Sequence, residues 1–484
     1  MPPVSPVATR SRWIDRLSSA LLLEVFLYLT SETRIGFVPL DQVPAEKALR
    51  FVLYAPALDL ERVCRTWKTI VTSAPSLWST VQLLEHANNS SASPSSLRAV
   101  SKVLEASKQT PLHVTLLGHG STVNPAIQRI FRESKRWASA GLYFNGLTFD
   151  CSSFRFLEGK LHRLRRLRLI SLDNKPVASH HAFANTPQLY RFEIWNRGRN
   201  VHPSIRLPLG QLTSLYLGGI DYLQTMTLLS HLPKLEVLEI SGMGPLGQFN
   251  KSAQIRGYTS GLRSLAVSSD SSLLGIYALF HYVDMPRLEA VTFQNLCVKN
   301  ADSNHVTLSE TLLALAPPKP RRTALRRLSL RSAFMPPGEL RRMLKDLPSL
   351  TYLDVHVAYN SPDLTINIVT PALISALQED STLLPELTSL TITAEGESGQ
   401  GMNFAFLLQM ARARSGRKPE RRPLQFGPWQ RRVEAENEPR YNLRYLEFST
   451  SEDFFLPSLK PEVEDLRQRG VTVCLRDMCG FVNV

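Results

Sequence analysis

The sequence predicts an α/β fold in which a small helical module at the N-terminus precedes a long array of strand–helix repeats. Two observations support this fold class. Apolar residues between Leu17 and Val71 recur at helical spacing, and beyond about residue 130 a six-residue leucine pattern returns at similar intervals. The chain has 484 residues, of which 43% are hydrophobic, enough for a large buried core. Its five cysteines are too few for a disulfide-stabilised scaffold of this length.

The N-terminal module is predicted to contain two amphipathic helices. The first places a leucine or valine at every fourth position from Leu17 to Leu29. The second is predicted over residues 58–71, and Pro75 ends its helical pattern. Between them lies a stretch flanked by prolines, in which residues 45–54 are predicted to form a further helix.

Three segments of this module resemble the F-box family. Leu17–Leu29 is similar to the first helix of an F-box, and Val63–Trp67 resembles its Val-Cys-basic-x-Trp segment. Ala74–Ser79 is similar to the Pro-Ser-Leu-Trp sequence that closes the motif in many fungal members. The sequence departs from the family at Ser18, which replaces Pro, and at Ala20, which replaces Glu.

The resemblance implies that the module binds a Skp-type adaptor, and through it a cullin, within an SCF-type ubiquitin ligase. Such a subunit needs no active site, because it acts by holding its target near a ubiquitin-charged enzyme. No catalytic motif is present in the sequence, and neither a cofactor nor a metal is expected. Some of the module's apolar side chains must also fill its own core. The adaptor-binding candidates that the resemblance implies are Leu17, Leu21, Leu22, Val25, Phe26, Val63, Cys64 and Trp67.

The rest of the chain carries the pattern Leu-x-x-Leu-x-Leu or an apolar variant. Copies begin at Trp137, Leu164, Leu189, Leu212, Leu235, Leu262, Leu288, Leu325, Leu350, Leu387 and Leu443. Most intervals fall in or near the range of leucine-rich repeats. Each copy ends in an alternating strand, and several follow a helical stretch, so an irregular solenoid with parallel strands on its concave face is predicted. An ordinary α/β domain with parallel strands is the alternative.

These patterns divide the chain into four parts. They are a flexible tail (1–12), an F-box-like helical module (13–85) with an insertion at 30–57, a connecting segment (86–130), and a leucine-rich-repeat-like solenoid (131–484) with an Arg/Pro-rich loop at 411–440. The repeat region resembles that of F-box and leucine-rich-repeat proteins of mushroom-forming fungi. No secretory signal or membrane-spanning run is evident, so an intracellular protein, cytoplasmic or nuclear, without a membrane partner is expected.

The formal net charge is +14, and it is concentrated in three basic blocks at residues 160–206, 317–345 and 411–444. Residues 346–410 contain no Lys or Arg. This alternation favours a patterned surface that binds an unknown protein substrate over a uniform coat for nucleic acid. The alternative function is a non-ligase repeat scaffold or a nucleic-acid-associated binding protein.

The strand positions between the leucines are predicted to point outward and to bind the substrate. Arg, Tyr and Trp dominate binding hot spots, and these residue types are frequent there. The candidates are Arg166, Arg168, Arg191, Trp195, Tyr216, Glu239, Arg327, Arg331, Tyr352, His356 and Tyr445. The other interpretation is that these side chains only keep the sheet soluble.

Overall fold

The computed structural model of the chain divides into two compact units, Met1–Leu209 and Gly210–Val484. The residues that the structure describes are 17–35, 52–84, 94–118, 125–144, 156–171, 181–196, 206–220, 222–242, 257–258, 261–268, 273–294, 325–331, 339–357, 371–380, 382–394, 404–416, 443–450 and 459–477.

The first unit begins with the N-terminal module. Its helices are α1 (Ser19–Ile35), α2 (Pro56–Leu60) and α3 (Arg65–Ser73), and a 3-10 turn over Pro75–Trp78 closes it. The Ser18 hydroxyl caps α1 by accepting a hydrogen bond from the Leu21 backbone N–H at 3.3 Å. Trp78 is buried, and its indole N–H donates to the Val71 carbonyl at 2.8 Å. The closing turn is therefore part of the module's core.

The module departs from its predicted secondary structure in two places. The single helix expected over 58–71 is divided into α2 and α3, because Cys64 has an extended backbone at the N-cap of α3. Val52–Tyr54, expected as the end of a helix, instead forms strand β1. Two of its three residues, a valine and a tyrosine, favour strands, and the segment pairs antiparallel with the strand that follows the module.

The first unit continues as a sheet that follows chain order. Its further strands are β2 (Thr80–Leu84), β3 (Leu112–Gly118), β4 (Trp137–Phe144), β5 (Arg166–Ser171) and β6 (Arg191–Asn196). Each of these strands pairs in parallel with the next. Helices α4 (Pro94–Ala106) and α5 (Pro125–Arg132) connect β2 to β3 and β3 to β4, and they contact each other.

The segment 86–130, predicted as a connection, therefore contains a helix–strand unit and part of the next one. In β3, Leu112, Val114 and Leu116 alternate and are buried. This period of two is a strand signal, but it lacks the Leu-x-x-Leu spacing by which the other copies were found. The parallel sheet consequently begins about fifty residues before the predicted solenoid boundary at 131.

The second unit is a parallel sheet of the same kind. Its strands are β7 (Ser214–Gly218), β8 (Val237–Ser241), β10 (Ser264–Ser268), β12 (Ala290–Gln294), β13 (Arg327–Arg331), β14 (Tyr352–Val357), β15 (Ser389–Ala394), β16 (Tyr445–Thr450) and β17 (Thr472–Asp477). A separate parallel pair is formed by β9 (Gly257–Tyr258) and β11 (Val283–Asp284). The helices are α6 (Tyr222–Leu229), α7 (Leu273–Tyr282), α8 (Glu339–Lys345), α9 (Pro371–Glu379), α10 (Phe404–Arg414) and α11 (Lys460–Gln468).

The predicted mixed α/β fold with repeated parallel strands is confirmed. Each of the eleven leucine patterns coincides with one strand, from β4 to β16, and one further strand, β17, follows them. The register places equivalent leucines side by side, as in Leu328 against Leu353 against Leu390, and all three are buried. The alternate strand positions form the other side of each sheet, which we call the outward face.

Two buried arginines hold turns between repeats. Arg414, at the end of α10, is 1% exposed and donates to the carbonyls of Leu377, Asp380, Leu383 and Leu384. Arg136 donates in the same way to the Thr110 carbonyl and the Ser107 hydroxyl. Each turn contains a non-glycine residue with a left-handed backbone, Leu384 (φ 52°) and Lys108 (φ 48°). The hydrogen bonds offset the strain of that conformation.

The Arg/Pro-rich loop predicted at 411–440 differs in its first residues from the structure. The first four residues of that range complete α10 rather than starting a loop. The helix continues because α9 and α11 both contact it, which buries its apolar side. The part of the predicted loop from residue 417 onward lies outside the described residues.

Candidate functional site

Helix α1 exposes four large apolar side chains. Leu21, Val25, Tyr28 and Leu29 are 56%, 45%, 64% and 47% exposed. Successive helical residues are rotated by about 100°, so these four lie within one continuous stripe along the helix. We call this set the α1 stripe. Four adjacent apolar side chains on one helix make a contiguous exposed patch, which is typical of a surface that another protein covers.

The side of α1 that adjoins the stripe is held by the rest of the module. Leu22 and Phe26 are buried, and the Phe26 ring lies 4.6 Å from that of Trp67. An ion pair between Lys102 and Glu61 connects α4 to the module, and the Lys102 ammonium lies 5.6 Å from the Trp78 ring centre. These contacts join the module to the repeats of the same unit, and the helix that carries the α1 stripe packs against the module.

The structure separates the predicted adaptor-binding residues by their exposure. Leu22 and Phe26 fill the module's interior, so in this structure they support the surface rather than form it. Leu17 and Trp67 are half-buried, and Leu21, Val25, Val63 and Cys64 are exposed. Cys64, which lies within the helix predicted over 58–71, is exposed because it precedes α3 as its N-cap.

Two members of the α1 stripe were not among the sequence-based candidates. Tyr28 and Leu29 follow Val25 by three and four residues, which places them on the same side of the helix. Helical spacing is therefore the sequence signal that indicates these two. The F-box resemblance alone did not select them.

On the outward face of the first unit, register aligns the side chains into three rows. The first row is Thr80, His113, Ser139, Arg166 and Arg191; the middle row is Gln82, Thr115, Gly141, Arg168 and Glu193; the last row is Leu84, Leu117, Tyr143, Ile170 and Trp195. The last row is apolar, and its three central members are buried as a cluster separate from the leucine core. Trp195 is 41% exposed.

Three arginines meet on β5 and β6, and we call Arg166, Arg168 and Arg191 the arginine cluster. Arg168 forms an ion pair with Glu193, and Arg191 Nε donates to the same carboxylate at 2.7 Å. Arg166 Nε donates to the Tyr190 hydroxyl at 2.8 Å, and its guanidinium lies 5.9 Å from the Tyr190 ring centre. The structure therefore places three predicted substrate-binding residues side by side here, and the fourth on these strands, Trp195, lies at the other end of β6.

The arginine cluster also influences the pKa of Tyr143, a tyrosine of the last row. Burial raises the pKa of the Tyr143 hydroxyl above its ordinary value, and the Arg168 guanidinium offsets part of that rise. Tyr143 therefore stays neutral at physiological pH. Its side chain belongs to the apolar row and carries no charge into it.

The outward face of the second unit carries the other predicted substrate-binding residues. Arg327 and Arg331 are exposed, and they are in register with Tyr352 and His356 on β14. Arg331 Nη2 lies 3.1 Å from the Asp354 carboxylate, which also accepts a 2.7 Å hydrogen bond from the Ser329 hydroxyl. The half-buried remaining candidates are Tyr216, Glu239, Tyr352, His356 and Tyr445.

A second tyrosine–carboxylate contact lies near the end of this unit. The Tyr445 hydroxyl donates to Glu447 Oε2 at 2.7 Å. The pKa of the Tyr445 hydroxyl is raised above its ordinary value. Burial is the largest cause, and this hydrogen bond to Glu447 is the second. The Asp354 carboxylate is paired with Arg331, so it contributes little free negative charge to the face.

Two kinds of feature are absent from the described part of the chain. No group of three or more His, Cys, Asp or Glu side chains there is arranged to hold a metal ion. No helix there is both long enough and apolar enough to cross a membrane.

No protein-family model matches the chain, and no curated protein matches it. Solved structures that are similar include the Rad7 and Elc1 complex in yeast, at 15% identity and TM-score 0.30, covering 81% of this chain and 94% of that one. A Bacteroides fragilis protein matches at 12% identity and TM-score 0.28, covering 67% and 70%. The TLR13–ssRNA13 complex matches at 15% identity and TM-score 0.33, covering 76% and 56%. At these values the matches carry no inference about function.

Proposed function

We propose that this chain is the substrate-recognition subunit of an SCF-type cullin–RING ubiquitin ligase. The N-terminal module binds a Skp-type adaptor, and the outward face of the repeats binds a target protein. The observation that supports this proposal is the α1 stripe, because it lies on the helix whose sequence resembles the first helix of an F-box.

The energetics of the stripe favour a protein partner. Burying a Leu or Val side chain contributes about 1.5–3 kcal/mol, so several of them under a partner helix offset much of the cost of association. An apolar helix in a complementary groove is a common mode of recognition. Exposed Val63 and Cys64 extend the candidate surface to the start of α3, as the F-box resemblance implies.

In this proposal the chain itself catalyses nothing. Its contribution is to raise the effective concentration of the target beside a ubiquitin-charged enzyme bound elsewhere in the assembly. The role requires two separate binding surfaces on one chain, and the α1 stripe and the outward faces are the candidates for them. A cullin is then an indirect partner, reached through the adaptor.

The arginine cluster supports a second candidate function, a nucleic-acid-associated repeat protein that does not act in a ligase. Exposed arginine on a sheet face attracts phosphates as well as carboxylates. Binding of this kind must weaken steeply as salt is raised, because it releases counterions. This function makes no use of the α1 stripe.

Co-purification with a Skp-type adaptor tests the first proposal. We expect the full-length chain, co-expressed with the adaptor, to elute as a one-to-one complex in size-exclusion chromatography. The complex should persist at high salt, because its core is apolar. A folded chain that elutes alone would contradict the ligase proposal, and circular dichroism of the same sample establishes that it is folded.

A further inference from the structure

The outward faces of the two units differ in their last row. In the second unit this row consists of polar or small residues: Gly218, Ser241, Ser268, Gln294, Arg331, His356, Thr393, Ser449 and Arg476. In the first unit the corresponding row is apolar and reaches solvent at Trp195. An apolar row on the outward face adds nothing to the leucine core, so it needs a separate explanation.

The charged side chains in the first and middle rows of β5 and β6 carry a net positive charge. The arginine cluster supplies three positive charges, and Glu193, the carboxylate in register with Arg168, neutralises one of them. The backbones of Arg166 and Arg191 are in register on neighbouring strands, about 4.8 Å apart. Because three guanidinium groups here face one carboxylate, the group keeps a net positive charge. The arginine cluster therefore attracts a negatively charged group.

The apolar and basic parts lie at a defined separation. Arg191 and Trp195 are four residues apart on β6, which corresponds to about 13 Å along the strand. Arg166 and Ile170 repeat this arrangement on β5. An extended peptide lying along these strands spans the same distance with four residues. Its acidic side chains then meet the arginines while a large apolar side chain meets Trp195.

We infer that the outward face of β5–β6 binds an acidic peptide segment of the target protein, with one or two carboxylates on Arg166 and Arg191 and an apolar side chain on Trp195. This inference rests on the proposed function and specifies the chemistry of the target. The target segment carries its acidic residues about four positions from a Leu, Phe or similar residue.

The geometry favours a peptide over a nucleic acid on the outward face of β5–β6. Single-stranded nucleic acid binds to series of exposed aromatic rings on which successive bases stack. In the last row of the first unit, Trp195 is exposed while Leu117, Tyr143 and Ile170 are buried. Among these described residues only Trp195 offers an exposed ring, which suffices for one apolar side chain of a peptide but not for a series of stacked bases.

Fluorescence anisotropy of the full-length chain tests the inference with a labelled peptide, Gly-Glu-Glu-Ser-Gly-Ser-Leu-Phe-Gly. We expect a Kd of about 50 μM at low salt. The Trp195→Ala variant and the Arg166→Gln/Arg191→Gln variant should each weaken binding about tenfold. The matched control is Arg287→Gln, which removes an exposed arginine that lies before β12 in the second unit, outside the candidate binding residues, and should leave the Kd unchanged.

Three results with the peptides would overturn the inference. They are no binding of the peptide by the wild-type chain, equal binding of a peptide with lysine in place of glutamate, and unchanged affinity in both variants. Tighter binding of a labelled twelve-nucleotide oligouridylate, lost in the same variants, would overturn it in favour of nucleic acid. Adaptor co-purification of each variant separates this failure from failure of the ligase proposal, because the two surfaces use different residues.

Discussion

Replacing Leu21 and Val25 with aspartate is expected to abolish binding of a Skp-type adaptor to the full-length chain. Each substitution removes about 1.5–3 kcal/mol of apolar burial and places a carboxylate in an apolar interface. Together these losses correspond to at least about a hundredfold rise in Kd. Both side chains are exposed in the free chain, so its far-ultraviolet circular dichroism and thermal midpoint should change little. Isothermal titration calorimetry with the purified adaptor gives the Kd.

The matched control is the Ser19→Asp/Ala20→Asp variant. It adds the same two charges to exposed positions in the first turn of α1, outside the α1 stripe. Negative charge near a helix N-terminus is favourable, so the helix should be retained and adaptor binding should be close to that of the wild-type chain. Full binding by the Leu21→Asp/Val25→Asp variant would show that the adaptor surface lies elsewhere. Equal loss in both variants would show a general effect of charge rather than a contact with the stripe.

Replacing Arg414 with methionine is expected to destabilise the second unit by about 3 kcal/mol. The guanidinium is buried and donates to four backbone carbonyls, so its removal leaves several buried acceptors without this partner. It also removes the hydrogen bond to the carbonyl of Leu384, whose left-handed backbone is costly for a leucine. We expect the urea midpoint of the second unit to fall, as followed by far-ultraviolet circular dichroism.

Two variants give this result its specificity. Arg412→Met removes the exposed arginine two positions earlier on α10, whose contact is a 3.1 Å ion pair with Asp465. An exposed ion pair contributes at most about 1 kcal/mol, so this variant should lower the urea midpoint far less than Arg414→Met. Arg414→Lys keeps the charge but loses the planar fork of donors, so it should be nearly as destabilising as Arg414→Met. An Arg414→Met variant as stable as Arg412→Met would show that the carbonyl contacts contribute nothing to folding.

The strand repeats could be predicted because the buried positions of each strand follow a short local pattern of apolar residues. In the pattern that begins at Leu325, three leucines at fixed spacing are all buried, and Leu328 and Leu330 lie on one side of β13. Strand β3 has the same burial with Leu112, Val114 and Leu116, but without the longer leucine spacing, so it was assigned to a connecting segment. A test for simple alternation over that segment would have identified it.

Contacts that depend on tertiary structure could not be predicted in this way. The Arg-rich block before residue 444 suggested a solvated loop, yet Arg414 from that block is among the most buried residues. Its partners lie some thirty or more residues earlier in the chain, and no local pattern records them. The same reason applies to Cys64, whose exposure depends on a break between two helices that looks continuous in the sequence.

Part of the candidate surface was predictable and part was not. The F-box resemblance that implied Leu21 and Val25 could not show which apolar residues of α1 face the module's interior. Phe26 is interior because the Trp67 ring covers it, and this contact joins residues forty-one positions apart. The arginine cluster likewise arises from the register between β5 and β6, which places Arg166 beside Arg191.

Hydrogen–deuterium exchange of the full-length chain, with and without a purified Skp-type adaptor, tests the central claim most directly. The account predicts slower exchange in the segments that span α1 and the start of α3 when the adaptor is present, and unchanged exchange in β7–β17. Protection confined to the repeat strands, or no protection at α1 at saturating adaptor, would contradict it.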